Sequence, residues 1–266
     1  MSMLQYELIR VYRNKLLYIS IAIGTIIGLS GLIPFYRDLI YDTDINGGIS
    51  CYDAWLYCLF LGRGTIYKFV MPLLVCLPFV DSYLNDFQSR RLNFILLRNS
   101  YTKYFHAKTI AVAISAASVV LGILSMWFVI ALLFFPHSPS ASNFSYIPQG
   151  PFDHLYQLHP LSYIAIVVSL NVVSGIIYAW IGLGATLFLR NKVFVLCAPL
   201  VLSIGQIIIA HNLPFSTHFL SPINMITPYE SATLSYLSLF SSFLFLALIS
   251  IILLFKLKMK DGKEYL

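Results

Sequence analysis

Six hydrophobic stretches without a charged residue decide what this chain can fold into. An α-helix rises about 1.5 Å per residue, so roughly 20 apolar residues are needed to cross a hydrocarbon core of about 30 Å. Five of the stretches reach or nearly reach that length, whereas the second is short and needs neighbouring residues. They occupy residues 16–33, 69–80, 109–135, 161–189, 193–210 and 231–255.

The apolar runs are continuous and do not alternate with polar residues, which favours helices over strands. The chain is 59% hydrophobic and 11% charged, against about 25% charged residues in a soluble domain. Such a chain cannot cover a water-exposed surface with polar groups, and in lipid its backbone must be satisfied within helices. The sequence therefore predicts a single all-α membrane domain with six transmembrane helices over residues 16–255, followed by a basic tail at 256–266.

The basic residues predict the orientation of this domain. Of the 17 Lys and Arg residues, all except Arg37, Arg63 and Lys68 lie before the first span, after the second or fourth, or after the sixth. Basic residues are enriched on the cytoplasmic side of membranes, so both termini are expected to be cytoplasmic. The net charge of +6 thus reflects topology, and without a nucleic-acid motif we expect no nucleic-acid partner.

Two connections on the other side of the membrane carry further pattern. Residues 55–61 are apolar but too few to span, which predicts a short helix in the membrane interface. Residues 214–228 are hydrophobic yet interrupted by proline, which predicts a re-entrant or interfacial hairpin. Cys51 and Cys58 could form a disulfide in an oxidising exterior, but on one helix they would lie about 10 Å apart, too far for the bond. They lack metal-ligand spacing, so no metal site is predicted.

The spans contain no catalytic motif, so the chain is not expected to be an enzyme. An intramembrane enzyme acting on lipid or peptide is further disfavoured because the spans contain almost no ionisable residues. Asn171 and Gln206 are the polar residues best placed within spans. They are candidates for lining a substrate path, although such residues also hydrogen-bond neighbouring helices, and both interpretations stay open at this point.

The first 15 residues predict an amphipathic helix that lies along the inner membrane interface. Its apolar residues are spaced at i, i+4 and i+7, and its polar residues lie on the opposite arc. The alternative is a helical extension of the first span. The apolar residues are Leu4, Leu8 and Val11, and the polar residues are Glu7, Arg10, Arg13 and Asn14.

The long connection at 81–108 has more pattern than topology requires. Four apolar residues are bracketed by Arg90, Arg91 and Arg98, and Ser100 is placed to cap the helix that continues into the third span. A short apolar helix with basic flanks suits docking into a groove on a soluble partner. The same charges also suit a loop that only fixes orientation and binds anionic lipid.

This arrangement resembles the permease subunits of type-2 ABC exporters, which have six spans, an N-terminal interfacial helix and a coupling helix between the second and third spans. The resemblance rests on an acidic residue after the second span, an apolar stretch, and then Arg, Ser, two Tyr and Lys. That family usually has Glu, with a Gly before the apolar stretch, where this chain has Asp86 and Gln88-Ser89-Arg90. The residues that carry the resemblance are Asp86, 92–97, Arg98, Ser100, Tyr101, Tyr104 and Lys108.

The resemblance implies a permease without its own ATPase site, and the chain has no Gly-rich phosphate-binding loop. ATP and Mg would bind to a separate ABC ATPase subunit. A second permease, identical or related, would complete the export pathway. The aromatic content, with 18 Tyr and 20 Phe, suits an amphipathic peptide, lipid or drug as substrate, and the short Leu-rich spans favour a bacterial plasma membrane. The residues expected to couple to the ATPase are Asp86, Arg90, Arg91, Leu92, Phe94, Leu96, Arg98 and Lys108.

A second hypothesis requires no ATPase. The chain would then be a non-transporting membrane sensor or an immunity protein that binds a peptide through its extracellular connection at 34–65. The two hypotheses differ in the soluble partner that they require, because only the exporter needs a nucleotide-binding subunit.

Overall fold

The computed structural model describes residues 2–41, 50–60, 62–97, 99–137, 150–212, 221–228 and 235–264. These residues form α-helices, a 3₁₀ turn at Gly62–Thr65 and irregular connections, with no strand among them. The helices are α1 (Met3–Tyr12), α2 (Lys15–Tyr41), α3 (Cys51–Phe60), α4 (Ile66–Cys76), α5 (Ser82–Gln88), α6 (Arg91–Leu96), α7 (Tyr101–Phe134), α8 (Asp153–Leu158), α9 (Pro160–Ala185), α10 (Lys192–Asn212), α11 (Ile223–Ile226) and α12 (Tyr236–Glu264).

Five helices are long and apolar enough to cross a membrane, and they are α2, α7, α9, α10 and α12. Each coincides with one of the predicted stretches, so these parts of the hydropathy prediction are confirmed. The chain is therefore an all-helical, multi-pass membrane protein. Ser100 occupies the N-cap position of α7 as predicted, although its side chain makes no capping hydrogen bond.

The predicted second span is divided into shorter helices, α4 and α5. Pro78 lies in the turn between them, and a proline both lacks an N–H donor and opposes a continuous helix. The segment begins beside the far half of α2, where Gly64 approaches Gly31. It ends beside α1, where Arg10 binds Asp86. The segment therefore runs from one end of the bundle to the other, despite the interruption.

Helices α2 and α7 run parallel and pack closely through two glycines that are four residues apart. A Cβ atom at Gly24 would lie 2.3 Å from Ile123, and one at Gly28 would lie 1.9 Å from the Trp127 ring. Small residues at this spacing allow membrane helices to approach, because the Ile123 and Trp127 side chains of α7 occupy the space that side chains on α2 would need. As a result, α7 is held beside the N-terminal part of the chain.

Helix α9 packs against α4, α7, α10 and α12. It runs antiparallel to α7, because Gly175 faces Val120 while Trp180 donates its Nε1–H to the carbonyl oxygen of Thr109 at 3.2 Å. The remaining spans are thus arranged around α9, and α7 joins this group to α2.

The predicted interfacial helix at 55–61 is present as a buried helix, α3. Trp55 is fully buried and donates its Nε1–H to the carbonyl oxygen of Leu124 on α7 at 3.1 Å. Cys51 and Cys58 are buried on the same helix and are free, so no disulfide joins them. The predicted short helix is present and packs inside the bundle, as apolar residues on several of its sides favour, while its depth relative to the membrane interface stays a prediction. Leu61 lies outside the described residues.

The predicted hairpin at 214–228 is described from residue 221 onward, where it contains α11. The carbonyl oxygen of Ile226 accepts a hydrogen bond from Asn171 Nδ2 on α9 at 2.9 Å. Asn171 is about 16 Å along α9 from its first residue, by the rise of an α-helix. The described part of the hairpin therefore packs well inside the bundle.

Basic residues from distant parts of the chain gather at the end of the bundle that contains α1, and we call it the basic end. Gln88 of α5 donates to the carbonyl oxygen of Arg190, between α9 and α10, at 2.9 Å. Lys258 of α12 lies 3.3 Å from His106 near the start of α7. We call the other end, which holds α3 and α8, the opposite end.

Candidate functional site

Four charged residues from three helices meet inside the basic end. Glu7 and Arg10 come from α1, Asp86 comes from α5, and Lys108 comes from the second turn of α7. We call these residues, together with Tyr104 of α7, the charge network. Their two carboxylates and two cations balance one another in formal charge.

Asp86 is the most highly coordinated member of the charge network. Arg10 binds it with both terminal nitrogens, at 2.9 Å from Nη2 to Oδ1 and 3.0 Å from Nη1 to Oδ2. Lys108 Nζ donates to Oδ2 at 2.7 Å, and the Tyr104 hydroxyl donates to the same oxygen at 3.0 Å. A bidentate Arg–carboxylate pair is geometrically specific, so α1 is held against α5 in one orientation.

Glu7 completes the charge network from the N-terminal helix. Lys108 Nζ donates to Glu7 Oε2 at 2.8 Å, and Arg10 Nη1 donates to Glu7 Oε1 at 3.0 Å. Each cation therefore contacts both carboxylates. As a result, α1 is fastened to α7 directly through Glu7 and Lys108 and indirectly through Asp86.

The charge network is almost completely buried. Glu7, Asp86 and Lys108 are buried, and the Arg10 side chain is 21% exposed. The Phe79 ring lies against both cations, with its centroid 5.0 Å from Lys108 Nζ and 5.8 Å from the Arg10 guanidinium carbon. Cation–π contacts of this kind contribute more when the ring and the cation are desolvated.

The pKa values of Asp86 and Arg10 follow from these contacts. Burial by itself would raise the pKa of Asp86, but hydrogen bonds and charge from Arg10 and Lys108 outweigh burial and lower it. Burial by itself would lower the pKa of Arg10, yet Asp86 and Glu7 raise it. Asp86 is consequently a carboxylate and Arg10 a guanidinium at neutral pH.

The energetic character of such a network is asymmetric. Transferring charges out of water is costly, so the assembled network adds little net stability compared with a well-packed apolar core. Removing one member leaves an unpaired buried charge, which typically costs about 3–5 kcal/mol. The charge network therefore specifies how α1, α5 and α7 fit together.

The predicted coupling segment lies directly beside the charge network. α6 follows α5 after Arg90, whose φ of 56° is left-handed. This is the conformation that glycine adopts without steric cost, so Arg90 has a strained backbone at the turn between α5 and α6. Leu92 of α6 is buried, whereas Phe94 of the same helix and Leu97, which follows it, are 70% and 82% exposed.

The structure therefore separates the predicted coupling residues into groups. Asp86 and Lys108 are buried together in the charge network, and Leu92 anchors α6. The remaining described residues are on or near the surface, and Arg98 lies outside the described residues. Arg90, Arg91 and Phe94 are exposed, and Leu96 is half-buried.

The predicted N-terminal helix is present as α1, and its position relative to the membrane interface stays a prediction. Glu7 and Arg10, which were expected on the arc opposite the apolar residues, face α5 and α7. Ile9 and Tyr12 are exposed on the other side of the helix. The assignment of Glu7 to the opposite arc is wrong, because residues four apart share a helix face and Glu7 is buried together with Val11.

Asn171 and Gln206 are both largely buried, on α9 and α10. The Asn171 amide donates to the carbonyl oxygens of Val167 and Ile226, both at 2.9 Å. Within the described part of the chain, no hydrogen bond joins Asn171 to Gln206, and Asn171 Oδ1 and Gln206 Oε1 have no hydrogen-bond partner. Asn171 therefore links α9 to the hairpin. This agrees with the expectation that such a residue hydrogen-bonds a neighbouring segment.

A smaller polar cluster lies at the opposite end. Asp53 of α3 is buried and accepts hydrogen bonds from the Ser50 hydroxyl at 2.6 Å and from the Tyr156 hydroxyl of α8. Burial and the neighbouring Asp53 carboxylate raise the pKa of Tyr156, so it remains a neutral donor. We call these three residues the hydroxyl cluster, and sequence reasoning did not anticipate it.

Comparison with family models, curated proteins and solved structures found no match to this chain. The function is therefore inferred from the geometry of the charge network and of the exposed face of α6.

Proposed function

We propose that this chain is the transmembrane permease subunit of an ATP-driven exporter, in which a separate ABC ATPase subunit hydrolyses ATP. In this proposal the basic end faces the cytoplasm of a bacterial cell, and α4 with the turn at 77–81 completes a set of six spans. A second permease, identical or related, would supply the other half of a pathway for an amphipathic substrate.

The single observation that carries the proposal is the form of α6. Phe94 on α6 and Leu97 just after it are exposed and apolar, while Leu92 on the other face of the helix is buried and holds α6 against the rest of the protein. A short helix with a fixed base and exposed apolar side chains suits insertion into a groove on a soluble protein. Arg90 and Arg91 beside it would contribute electrostatic attraction to an acidic rim on that partner.

The charge network supports a coupling role because it connects α6 to the spans. Asp86 lies at the end of the segment that leads into α6, and its bonds to Arg10 and Lys108 reach α1 and α7. Short, dry ion pairs hold one arrangement, so displacement of α6 would move these three helices together. Helix α2, packed on α7 through Gly24 and Gly28, would follow.

ATP binding and hydrolysis on the partner would then bias the spans between two arrangements. Nucleotide would act at the partner's site and substrate at the pathway, and each would favour one arrangement through different contacts. This is allosteric coupling between two distinct sites. Asn171 and Gln206 remain our candidates for polar groups along the pathway.

The proposal is tested by purifying the full chain from its native membrane in mild detergent and identifying bound proteins by mass spectrometry. We expect a stoichiometric soluble protein with a Gly-rich phosphate-binding loop. Phe94→Ser with Leu97→Ser should release it. Leu133→Ser with Leu158→Ser, which alters two exposed apolar residues at the opposite end, should not.

If the chain purifies without an ATPase, the exporter proposal fails. Capture of a peptide or a non-ATPase partner in its place would favour the sensor or immunity protein. If the ATPase stays bound to the Phe94→Ser, Leu97→Ser variant, the chain is a permease but α6 is not its docking element.

Charge reversal tests coupling separately from docking. Arg91→Glu with Arg98→Glu should lower the ATPase activity that the purified complex shows, while membrane insertion is retained. Normal stimulation of the partner by this variant would contradict the assignment of these residues.

A further inference from the structure

A cavity of about 400 Å³ lies at the basic end, outside the charge network. It is bounded by α5, by the connection between α9 and α10, and by the last turns of α12. Three cations from these separate segments line it, and they are Arg90, Arg190 and Lys260. Because distant parts of the chain converge on it, the cavity is a product of the fold and does not follow from a run of charges in the sequence.

No carboxylate is among the residues that line the cavity. Arg90 and Arg190 form no ion pair with a carboxylate whose side chain the structure describes, and the side chains of Asp261 and Glu264, which follow Lys260 on α12, lie outside those described. The charge network, by contrast, balances each cation with two carboxylates. Unbalanced cations around a concave surface create a local positive potential that attracts an anion.

Local contacts hold two of the cations at the cavity. Arg90 has a left-handed backbone, and the preceding helix is closed by the Ser89 hydroxyl, which donates to the carbonyl oxygen of Asn85 at 2.7 Å. Gln88 donates to the carbonyl oxygen of Arg190 at 2.9 Å and so joins the two sides of the cavity. The charged side chains are exposed while the backbone that carries them is fixed.

The remaining wall of the cavity is largely apolar. Leu84 and Phe87 come from α5, Leu187 follows α9, and Leu257 belongs to α12. Phe188, next to Leu187, is 68% exposed at the end of a membrane-spanning helix, where lipid is expected. Cations next to an apolar wall match a molecule whose phosphate group is attached to a hydrocarbon chain.

We propose that this cavity binds an anionic phosphate group through Arg90, Arg190 and Lys260. The phosphate comes either from a lipid headgroup, which the apolar wall favours, or from a soluble phosphate compound. Basic pockets between transmembrane helices at the cytoplasmic side are suited to such headgroups. The site does not depend on the proposed ATPase partner, since none of its contacts requires one.

The test uses the full chain in nanodiscs of phosphatidylcholine, with and without phosphatidylglycerol, and counts retained lipids by native mass spectrometry. We expect retention of phosphatidylglycerol over phosphatidylcholine. Replacing Arg90, Arg190 and Lys260 by Gln should weaken this binding about 100-fold, because each lost hydrogen bond to the bound phosphate costs roughly a fivefold factor. The matched control replaces Lys15, Lys103 and Lys256 by Gln, which removes the same charge from exposed positions outside the cavity.

The source of the phosphate is decided by a second measurement in phosphatidylcholine alone. Stabilisation of the wild type, but not of the triple variant, by inorganic phosphate would assign the site to a soluble compound. Equal loss of phosphatidylglycerol in the triple variant and the control would overturn the proposal in favour of general surface attraction. So would the absence of both lipid and phosphate binding.

A single substitution keeps the test decisive if the triple variant does not fold. Arg190→Gln changes an exposed side chain whose backbone carbonyl, not its guanidinium, holds Gln88. We expect roughly fivefold weaker binding of the same ligand for this variant. Unchanged binding in this variant would overturn the site.

Discussion

The two ends of the molecule bury carboxylates in different ways. At the basic end, Glu7 and Asp86 are paired with Arg10 and Lys108. At the opposite end, the Asp53 carboxylate accepts hydrogen bonds from the hydroxyls of Ser50 and Tyr156, and no cation pairs with it among the described residues. One end therefore depends on balanced charges and the other on neutral donors.

This difference determines what each end can do. The charge network joins three helices that are far apart in the sequence, so a change in any member affects how all three fit together. The hydroxyl cluster joins α8 to α3, and its donors can be removed singly without leaving an unpaired cation. We infer that the charge network at the basic end transmits movement among α1, α5 and α7. The hydroxyl cluster at the opposite end only holds α8 against α3.

The largest effect is expected from Lys108→Met. This substitution leaves two buried carboxylates with one cation, which should destabilise the protein by about 3–5 kcal/mol. Thermal unfolding in detergent measures the change. Lys103→Met is the matched control, because Lys103 is an exposed lysine of the same helix, and we expect a change within about 0.5 kcal/mol for it.

Glu7→Gln combined with Lys108→Met distinguishes lost pairing from lost packing. The double variant leaves Arg10 paired with Asp86 and should be more stable than the sum of the two single changes predicts. Additive losses would contradict the view that these residues act as one network.

A smaller effect is expected at the opposite end. Tyr156→Phe removes one hydrogen bond to the buried Asp53 carboxylate, while the hydrogen bond from the Ser50 hydroxyl stays in place. We expect a loss of about 1.5–3 kcal/mol by thermal unfolding. If this variant is less stable than Lys108→Met, the two ends do not differ in the way the comparison requires.

The strained backbone at Arg90 gives a third, smaller difference. Arg90→Gly should relieve about 1 kcal/mol of left-handed strain, whereas Arg90→Ala should keep it. Comparing the unfolding temperatures of these two variants isolates the backbone from the lost charge, since both lack the guanidinium. Equal stability would show that the left-handed conformation at this position carries no cost.

The smallest effect is expected from mild acid. Because the pKa of Asp86 is lowered from its ordinary 3.8, its contribution to stability is present above that value and is lost only as the pH falls through the lowered pKa. Hydrogen exchange of the α1 amides, corrected for the intrinsic rate, should be equally protected at pH 7 and pH 5. Release of α1 between those values would contradict the charge assignment of Asp86.

Hydropathy was sufficient to locate five spanning helices, because apolar length alone decides them. Hydropathy did not predict the break between α4 and α5, because Pro78 interrupts the helix without making the stretch less apolar. Trp55 was assigned to an interface because residue type was considered without the faces of its helix. Asp86 and Lys108 were named as candidate coupling residues, a role that stays a prediction, and their ion pair was not predicted.

The rest of the site could not be derived from local pattern. Glu7 and Arg10 are three residues apart, the spacing of a helical ion pair, but nothing in that spacing indicates that they are buried. Glu7 is also three residues after Leu4 and four before Val11, and this spacing places it beside the apolar face of the helix. Long-range pairing of buried charges is set by the tertiary fold.

The most direct test of the account replaces Phe94 with a photo-reactive phenylalanine analogue and cross-links it in native membranes. The same analogue at Leu133, an exposed apolar residue at the opposite end, is the control. We predict that the Phe94 position, and not the Leu133 position, captures a soluble protein with a Gly-rich phosphate-binding loop. Cross-links from Phe94 only to lipid or to other membrane proteins would contradict α6 as the coupling helix.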